Sequence, residues 1–276
     1  MINVNHLIGT HDVVLITLDT LRYDAAILAM HNGDTPNLQS WLPNGMWEKR
    51  HTPASFTYAA HHAFFAGFLP TPASPGQHSR LFAARFEGSE TTTETTWVFE
   101  EPDVVTALAK QGYHTVCIGG VGFFNKRTQL GSVLPSLFHE SHWSPELGVT
   151  DPQSTQNQVR LSCSIIQALP PTQRLFLFLN VSAIHQPNRF YLPGNELDNL
   201  ESHGAALAYV DSQLPPLLQA IRKRSAVLII ITSDHGTTYG EDGFTGHRVG
   251  HPAVWTVPYA EFVLPMKNAE GQNSSL

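Results

Sequence analysis

Only two cysteines, Cys117 and Cys163, occur among 276 residues, too few for the framework of a disulfide-stapled fold. Both are expected to be free, buried thiols, Cys163 within an apolar run of helical character. Charge is also sparse: Asp, Glu, Lys and Arg make up 14% of the chain against 42% apolar residues, a balance that excludes extended disorder. Positive charge is the scarcer kind, with 16 Lys and Arg against 23 Asp and Glu and a formal net charge of −7. No broad basic surface is left to neutralise a nucleic-acid backbone or an anionic membrane. A small anionic substrate stays compatible, because a bound divalent cation reverses the local field. No apolar run approaches the roughly 18–20 residues of a membrane span. The opening Met1-Ile-Asn-Val-Asn also lacks the basic and apolar segments of a secretory signal. A cytoplasmic location is the expectation. With no internal repeat and no charged linker, so is a single domain over residues 1–276; assembly into a homo-oligomer stays open.

The apolar residues fall into two patterns. β-Branched runs at 13–18, 175–180 and 226–232 are too short for buried helices and read as buried strands, with 114–118 and 259–264 as further strands. Helical patterns cover 103–111, closed by Gly112, then 158–169, closed by Pro170, then 203–224, where Pro215 and Pro216 must kink or restart the helix. Strands alternating with helices imply an α/β fold. Residues 70–96 are rich in Pro, Ser, Thr and Gly without a period, and predict a long irregular connection.

In open α/β sheets, ligands bind beyond the carboxyl ends of the strands. Asp19 ends the first run, and Asp234 and His235 follow the run at 226–232, so the three should converge. Two carboxylates and an imidazole offer a divalent cation three ligands, and a hydroxyl can add a fourth. Thr57 precedes a short helix-like segment, where backbone N–H groups and the helix dipole stabilise an alkoxide or a bound phosphate or sulfate. The same position equally suits a threonine that merely caps the helix. Fifteen histidines are an excess from which only position can nominate functional members.

These segments together resemble a family. Leu15-Ile-Thr-Leu-Asp19-Thr-Leu-Arg22-Tyr-Asp24 is similar to the metal-binding first strand of sulfatase-like enzymes of the alkaline phosphatase superfamily. Phe56-Thr57 through His61 to Gly67-Phe-Leu-Pro70 resembles their nucleophile segment. Thr232-Ser-Asp234-His235-Gly236, followed by Gly246-His247, resembles their second metal-binding stretch. The resemblance implies a three-layer α/β/α sandwich around a mostly parallel sheet. It implies that Asp19, Thr57, Asp234 and His235 hold one divalent ion (manganese, magnesium, zinc or calcium), and that Thr57 attacks an ester to form a covalent intermediate. His185, in Ala183-Ile-His185-Gln-Pro187, and His247 resemble the family's proton-handling, substrate-side histidines.

Three further residues are candidates for substrate contact. Arg22 either clamps an anionic oxygen or pairs with Asp24. His61 matches a family position and is read chiefly as a support for the site. His251, four residues past His247, is spaced to face the same cleft. Asp211 resembles a recurrent helical position with a structural role.

The departures narrow the chemistry. Thr57-Tyr-Ala-Ala-His replaces the Cys-x-Pro-x-Arg setting of formylglycine sulfatases, and Asp19-Thr20 replaces a paired aspartate. Phosphate or phosphonate esters of a small molecule are therefore favoured over sulfate esters. The threonine and single-metal pattern also resembles transferases that move phospho-groups to an acceptor alcohol, and a non-catalytic metal-binding relative remains a third reading. The extra C-terminal subdomain of larger relatives is expected to be missing. Loops at 70–96 and 123–151 are then left to confer specificity.

Overall fold

The computed structural model describes residues 2–67, 82–84, 97–99 and 103–267. In chain order the elements are β1 (Asp12–Leu18), α1 (Tyr23–His31), α2 (Pro36–Trp41), β2 (Glu48–His51), α3 (Thr57–Ala66), β3 (Phe82–Ala84) and β4 (Trp97–Phe99). They continue with α4 (Val104–Lys110), β5 (Tyr113–Ile118), α5 (Gln129–Val133), β6 (Glu140–His142), α6 (Ser154–Ala168) and β7 (Arg174–Val181). The last are α7 (Leu200–Gln213), α8 (Pro215–Arg224), β8 (Val227–Thr232), β9 (Thr238–Tyr239), β10 (Thr245–Gly246), α9 (Pro252–Trp255) and β11 (Thr256–Leu264).

The main sheet runs in the order β2-β11-β8-β1-β7-β5-β6. From β8 to β6 every pairing is parallel, whereas β11 and β2 add an antiparallel edge. Successive side chains of a strand point to opposite faces, and the three central strands carry apolar residues at nearly every position. Val14, Ile16 and Leu18 of β1 join Leu175, Leu177 and Leu179 of β7 and Ile229 and Ile231 of β8 on one face, covered by α1, α6, α7 and α8. Val13, Phe176, Phe178 and Leu228 face the other way, against Phe65 of α3 and Val105 and Leu108 of α4. Two separate apolar cores on one sheet make the three-layer sandwich.

Four of the strand expectations hold within one residue, and the fifth, expected at 259–264, begins three residues earlier at Thr256. Residues 203–224 form two helices, because Pro215 starts α8 at its first position, where its missing N–H is not needed. The helix expected at 158–169 begins at Ser154. Helices α1 and α2 and the exposed edge strand β2 were not foreseen; Asp24-Ala-Ala-Ile-Leu-Ala-Met has apolar residues on every side and shows no helical period. Within the stretch at 70–96, expected to be irregular, Phe82–Ala84 is a strand paired in parallel with Trp97–Phe99. The rest of that stretch, like Phe68 to Pro70, lies outside the described residues. The segment 123–151 contains α5 and β6. Cys117 is buried and Cys163 only half-buried, and both are free. Among the described residues no helix is long and apolar enough to cross a membrane.

Candidate metal and nucleophile centre

Strands β1, β7 and β8 lie side by side, and Thr17 near the end of β1 is level with Asn180 on one side and Thr232 on the other. Whatever follows these three carboxyl ends must share one crevice. Asp19, Asp234 and His235 do: one ligand atom from each lies within 4.8 Å of the others, and all three residues are wholly buried.

The turns after the strands are built to hold them. Thr20 takes the left-handed conformation, φ 64°, unusual for a β-branched residue, and so turns its N–H to Asp234 Oδ1 at 3.2 Å. Asp234 Oδ1 also accepts from the His235 amide at 3.1 Å. Asn180 Nδ2 donates to Asp19 Oδ2 at 3.0 Å, while its own Oδ1 accepts the amides of Gly120 and Val121. Gly236 permits the close passage of the chain behind His235, since a Cβ there would meet the Ala253 carbonyl oxygen at 1.9 Å.

Thr57 completes the set. It is the first residue of α3 rather than its cap; the cap position belongs to Phe56, and no side chain bonds there. The helix-capping reading of Thr57 therefore fails. Its hydroxyl points across to His235 Nε2 at 3.2 Å. The His235 Nδ1 lies 2.8 Å from the Gly236 carbonyl, which can only accept, so Nδ1 carries the proton and Nε2 is bare. Burial lowers the His235 pKa and favours this neutral form.

What faces inward is thus almost entirely acceptors. Asp19 Oδ1 and Asp234 Oδ2 are buried without any hydrogen-bond partner. Burial pushes the Asp19 pKa up to about 6, with the Asp234 charge adding to it, and burial likewise pushes Asp234 up to about 6. Two orphaned carboxylate oxygens, a bare imidazole nitrogen and one hydroxyl oxygen make a donor set that fits a divalent cation. A cation there satisfies the atoms that the protein leaves unpaired.

The other expected residues divide. His247 stands at the open side of the set, its ring 4.7 Å from that of His235 and 5.6 Å from that of His185. Burial, with the His235 and His185 charges adding, lowers the His247 pKa to about 3. His185 donates from Nδ1 to the Gln186 carbonyl. His61, expected among the substrate contacts, is wholly buried instead: Nδ1 donates to the Thr57 carbonyl at 2.7 Å, and Nε2 accepts from the Thr17 hydroxyl at 3.1 Å. Burial lowers its pKa to about 3, so the 3.8 Å approach of Nδ1 to Asp234 Oδ2 is not an ion pair. It fixes the first turn of α3 to β1.

Of the two readings of Arg22 the pair with Asp24 is the one found, and His251 is turned away from substrate contact. Arg22 is 4% exposed, binds Asp24 through Nε at 2.9 Å, and pairs a second time with Glu241. Two carboxylates consume its charge, which leaves no free fork for substrate. His251 caps α9 by accepting from the Ala253 amide at 3.1 Å and turns Nε2 to Asp242 at 3.2 Å. Asp211 is structural, receiving the amides of Asn37 and Leu38 at the start of α2. One participant was missed: Asn180, which aims Asp19. Nothing in its residue type distinguished it in the sequence.

Carboxylates, an imidazole and a hydroxyl thus gather at the carboxyl edge of the sheet, and solved structures share the three-layer architecture. The C-terminal periplasmic domain of the phosphoethanolamine transferase EptC from Campylobacter jejuni superposes with a TM-score of 0.60 at 14% identity, over 92% of this chain and 79% of that one. The corresponding EptC domain from Escherichia coli, in complex with Zn, gives 0.61 at 13% over 92% and 72%. A protein of the alkaline phosphatase superfamily from Vibrio parahaemolyticus gives 0.53 at 14% over 92% and 60%. The fold is that of the alkaline phosphatase superfamily. Residues 11–260 match the family described as Sulfatase, and the chain belongs to that family. No curated protein matches it in sequence.

Proposed function

We propose that this protein is a metal-dependent hydrolase of phosphate or phosphonate esters of a small anionic molecule, acting through a covalent ester on Thr57. The observation that carries the reading is the Thr57 hydroxyl, freed from capping, 3.2 Å from His235 Nε2 and beside two carboxylates with unpartnered oxygens. A capping threonine needs none of these neighbours.

When bound, the divalent cation supplies the positive charge that lowers the hydroxyl's pKa and screens the ester oxygens. Asp19, Asp234 and His235 would hold it together with Thr57. Thr57 Oγ attacks phosphorus from the first turn of α3, whose backbone N–H groups face the incoming oxyanion. His247, kept neutral by its surroundings, hydrogen-bonds the departing oxygen. His185 takes a proton from the water that cleaves the Thr57 ester. Superposition on phosphoethanolamine transferases favours a second reading, in which an acceptor alcohol replaces that water.

The test is turnover of p-nitrophenyl phosphate, bis-p-nitrophenyl phosphate, a phenylphosphonate ester and p-nitrophenyl sulfate, with manganese or zinc and with chelator. Activity that needs metal and vanishes in Thr57→Ala supports the reading. Full activity in Thr57→Ala overturns the covalent step, and faster sulfate than phosphate turnover overturns the substrate class. Added glycerol or ethanolamine separates the two readings, because only a transferase diverts product to the alcohol.

A further inference from the structure

With Arg22 neutralised by Asp24 and Glu241, the cleft still needs a cation of its own to orient an oxyanion. The described residues put one there. Arg248 follows His247 and is exposed, and no carboxylate among the described residues pairs with it. Its backbone is held in the left-handed region, φ 70°, between the turn at Gly246, φ 91°, and a hydrogen bond from its own N–H to the Ser55 carbonyl at 2.9 Å. That bond ties the segment carrying His247 to the loop that leads into Thr57. A left-handed arginine is costly, and the fold maintains it here beside the nucleophile.

The guanidinium carbon lies 6.0 Å from the ring centroid of Phe56, the residue immediately before Thr57. This aromatic contact holds the side chain over the first turn of α3 without consuming its hydrogen-bond donors.

We propose that Arg248 is the substrate-binding arginine of this enzyme, gripping the non-reacting oxygens of a tetrahedral oxyanion, phosphate or sulfate, as it sits over Thr57. The identity of the oxyanion's ester rests on the hydrolase reading above; the anion site does not. Phe56 is its platform. Its planar fork matches two oxygens of such a group at once, which a lysine ammonium cannot do.

The test compares wild type with Arg248→Gln and Arg248→Lys in manganese-loaded protein. Its readouts are calorimetric binding of inorganic phosphate and of inorganic sulfate, and the split of kcat from KM on p-nitrophenyl phosphate. Loss of charge-assisted hydrogen bonds predicts phosphate binding weaker by about 10- to 100-fold in Arg248→Gln. Arg248→Lys should recover part of that loss, and KM should rise by a similar factor. The unfolding temperature should stay unchanged, since the side chain is exposed. Unaltered phosphate and sulfate affinity in Arg248→Gln overturns the proposal, as does a loss that matches a drop in unfolding temperature. Arg248-dependent phosphate binding without turnover of any ester sinks the hydrolase reading and leaves Arg248 standing. Turnover with Arg248→Gln indistinguishable from wild type does the reverse. Equal loss for phosphate and sulfate marks a general oxyanion grip, and a loss confined to one names the ester class.

Discussion

Replacing Asp19 by asparagine should stabilise the metal-free protein while destroying its metal site. Asp19 and Asp234 are buried acids that the fold holds close together, and the Asp19 pKa stands near 6 instead of 3.8. A folded-state pKa above the unfolded one means that the native state prefers the protonated acid. The native state is therefore penalised once the acid ionises; the penalty is absent below pH 3.8, grows as pH rises to 6 and is complete above it. Two pH units correspond to about 3 kcal/mol. An asparagine keeps an oxygen for the Asn180 donor and turns its amide toward Asp234, whose Oδ2 otherwise has no partner. For 276 residues the unfolding entropy is about 0.6 kcal/mol per K, so the gain is roughly 5 °C. Thermal unfolding in chelator at pH 8 measures it, and repetition at pH 5 should show about half the gain, the ionisation being incomplete there. Manganese should invert the order, because only wild type binds it; saturation to about 1,000 times Kd adds about 4.1 kcal/mol, more than the variant's advantage. An asparagine variant less stable than wild type in chelator at pH 8 refutes the reasoning, as does a variant equally stabilised by manganese.

The same acids make metal affinity depend on pH. Protons compete at both carboxylates below pH 6, so affinity measured by calorimetry should fall by about 100-fold from pH 7 to pH 5 and be flat above pH 7. Thr57→Ala should keep the wild-type unfolding temperature within about 2 °C, while kcat falls by about a thousandfold or more; a substantial residual rate would point to direct attack by water. His203 is wholly buried, and its pKa is lowered to about 3 chiefly by burial, with the Arg22 charge assisting. A depressed pKa contributes stability present above the unfolded value of 6.5 and lost as pH falls toward 3, so His203→Gln should unfold at a lower pH than wild type in an acid titration followed by circular dichroism. His61→Leu leaves the Thr17 hydroxyl without its acceptor, and urea unfolding should show a loss of about 2 kcal/mol together with reduced kcat, because the first turn of α3 loses its anchor.

Much of the scaffold was legible from local pattern alone. Runs such as Val13 to Leu18 are apolar on both faces, which only a strand covered on both sides tolerates, and each is followed at once by its polar ligand. Helix α1 escaped because its alanines and large apolar residues surround the axis, and the edge strand β2 escaped because Glu48-Lys-Arg-His51 is exposed and is paired only through a partner far along the chain. In the site, Asp19, Asp234 and His235 were legible because strand ends converge whatever the side chains elsewhere. The supporting place of His61 and the Arg22–Asp24 pair were among the readings, whereas the Glu241 partner of Arg22 and the Asp242 partner of His251 were not, because those roles depend on which partner reaches them first in space.

The sequence by itself determined the class of fold, the convergence of Asp19, Asp234 and His235 at the strand ends and the identity of the hydroxyl near them, since periodicity and strand-end position are local properties. Tertiary structure alone decided that Thr57 faces His235 rather than capping its helix, that Glu241 helps to neutralise Arg22, and that Arg248 stands over Phe56, the residue before Thr57. Electrostatics falls off with distance in space and not along the chain. A charge's availability to a substrate is therefore settled only when the fold has brought its other partners within reach.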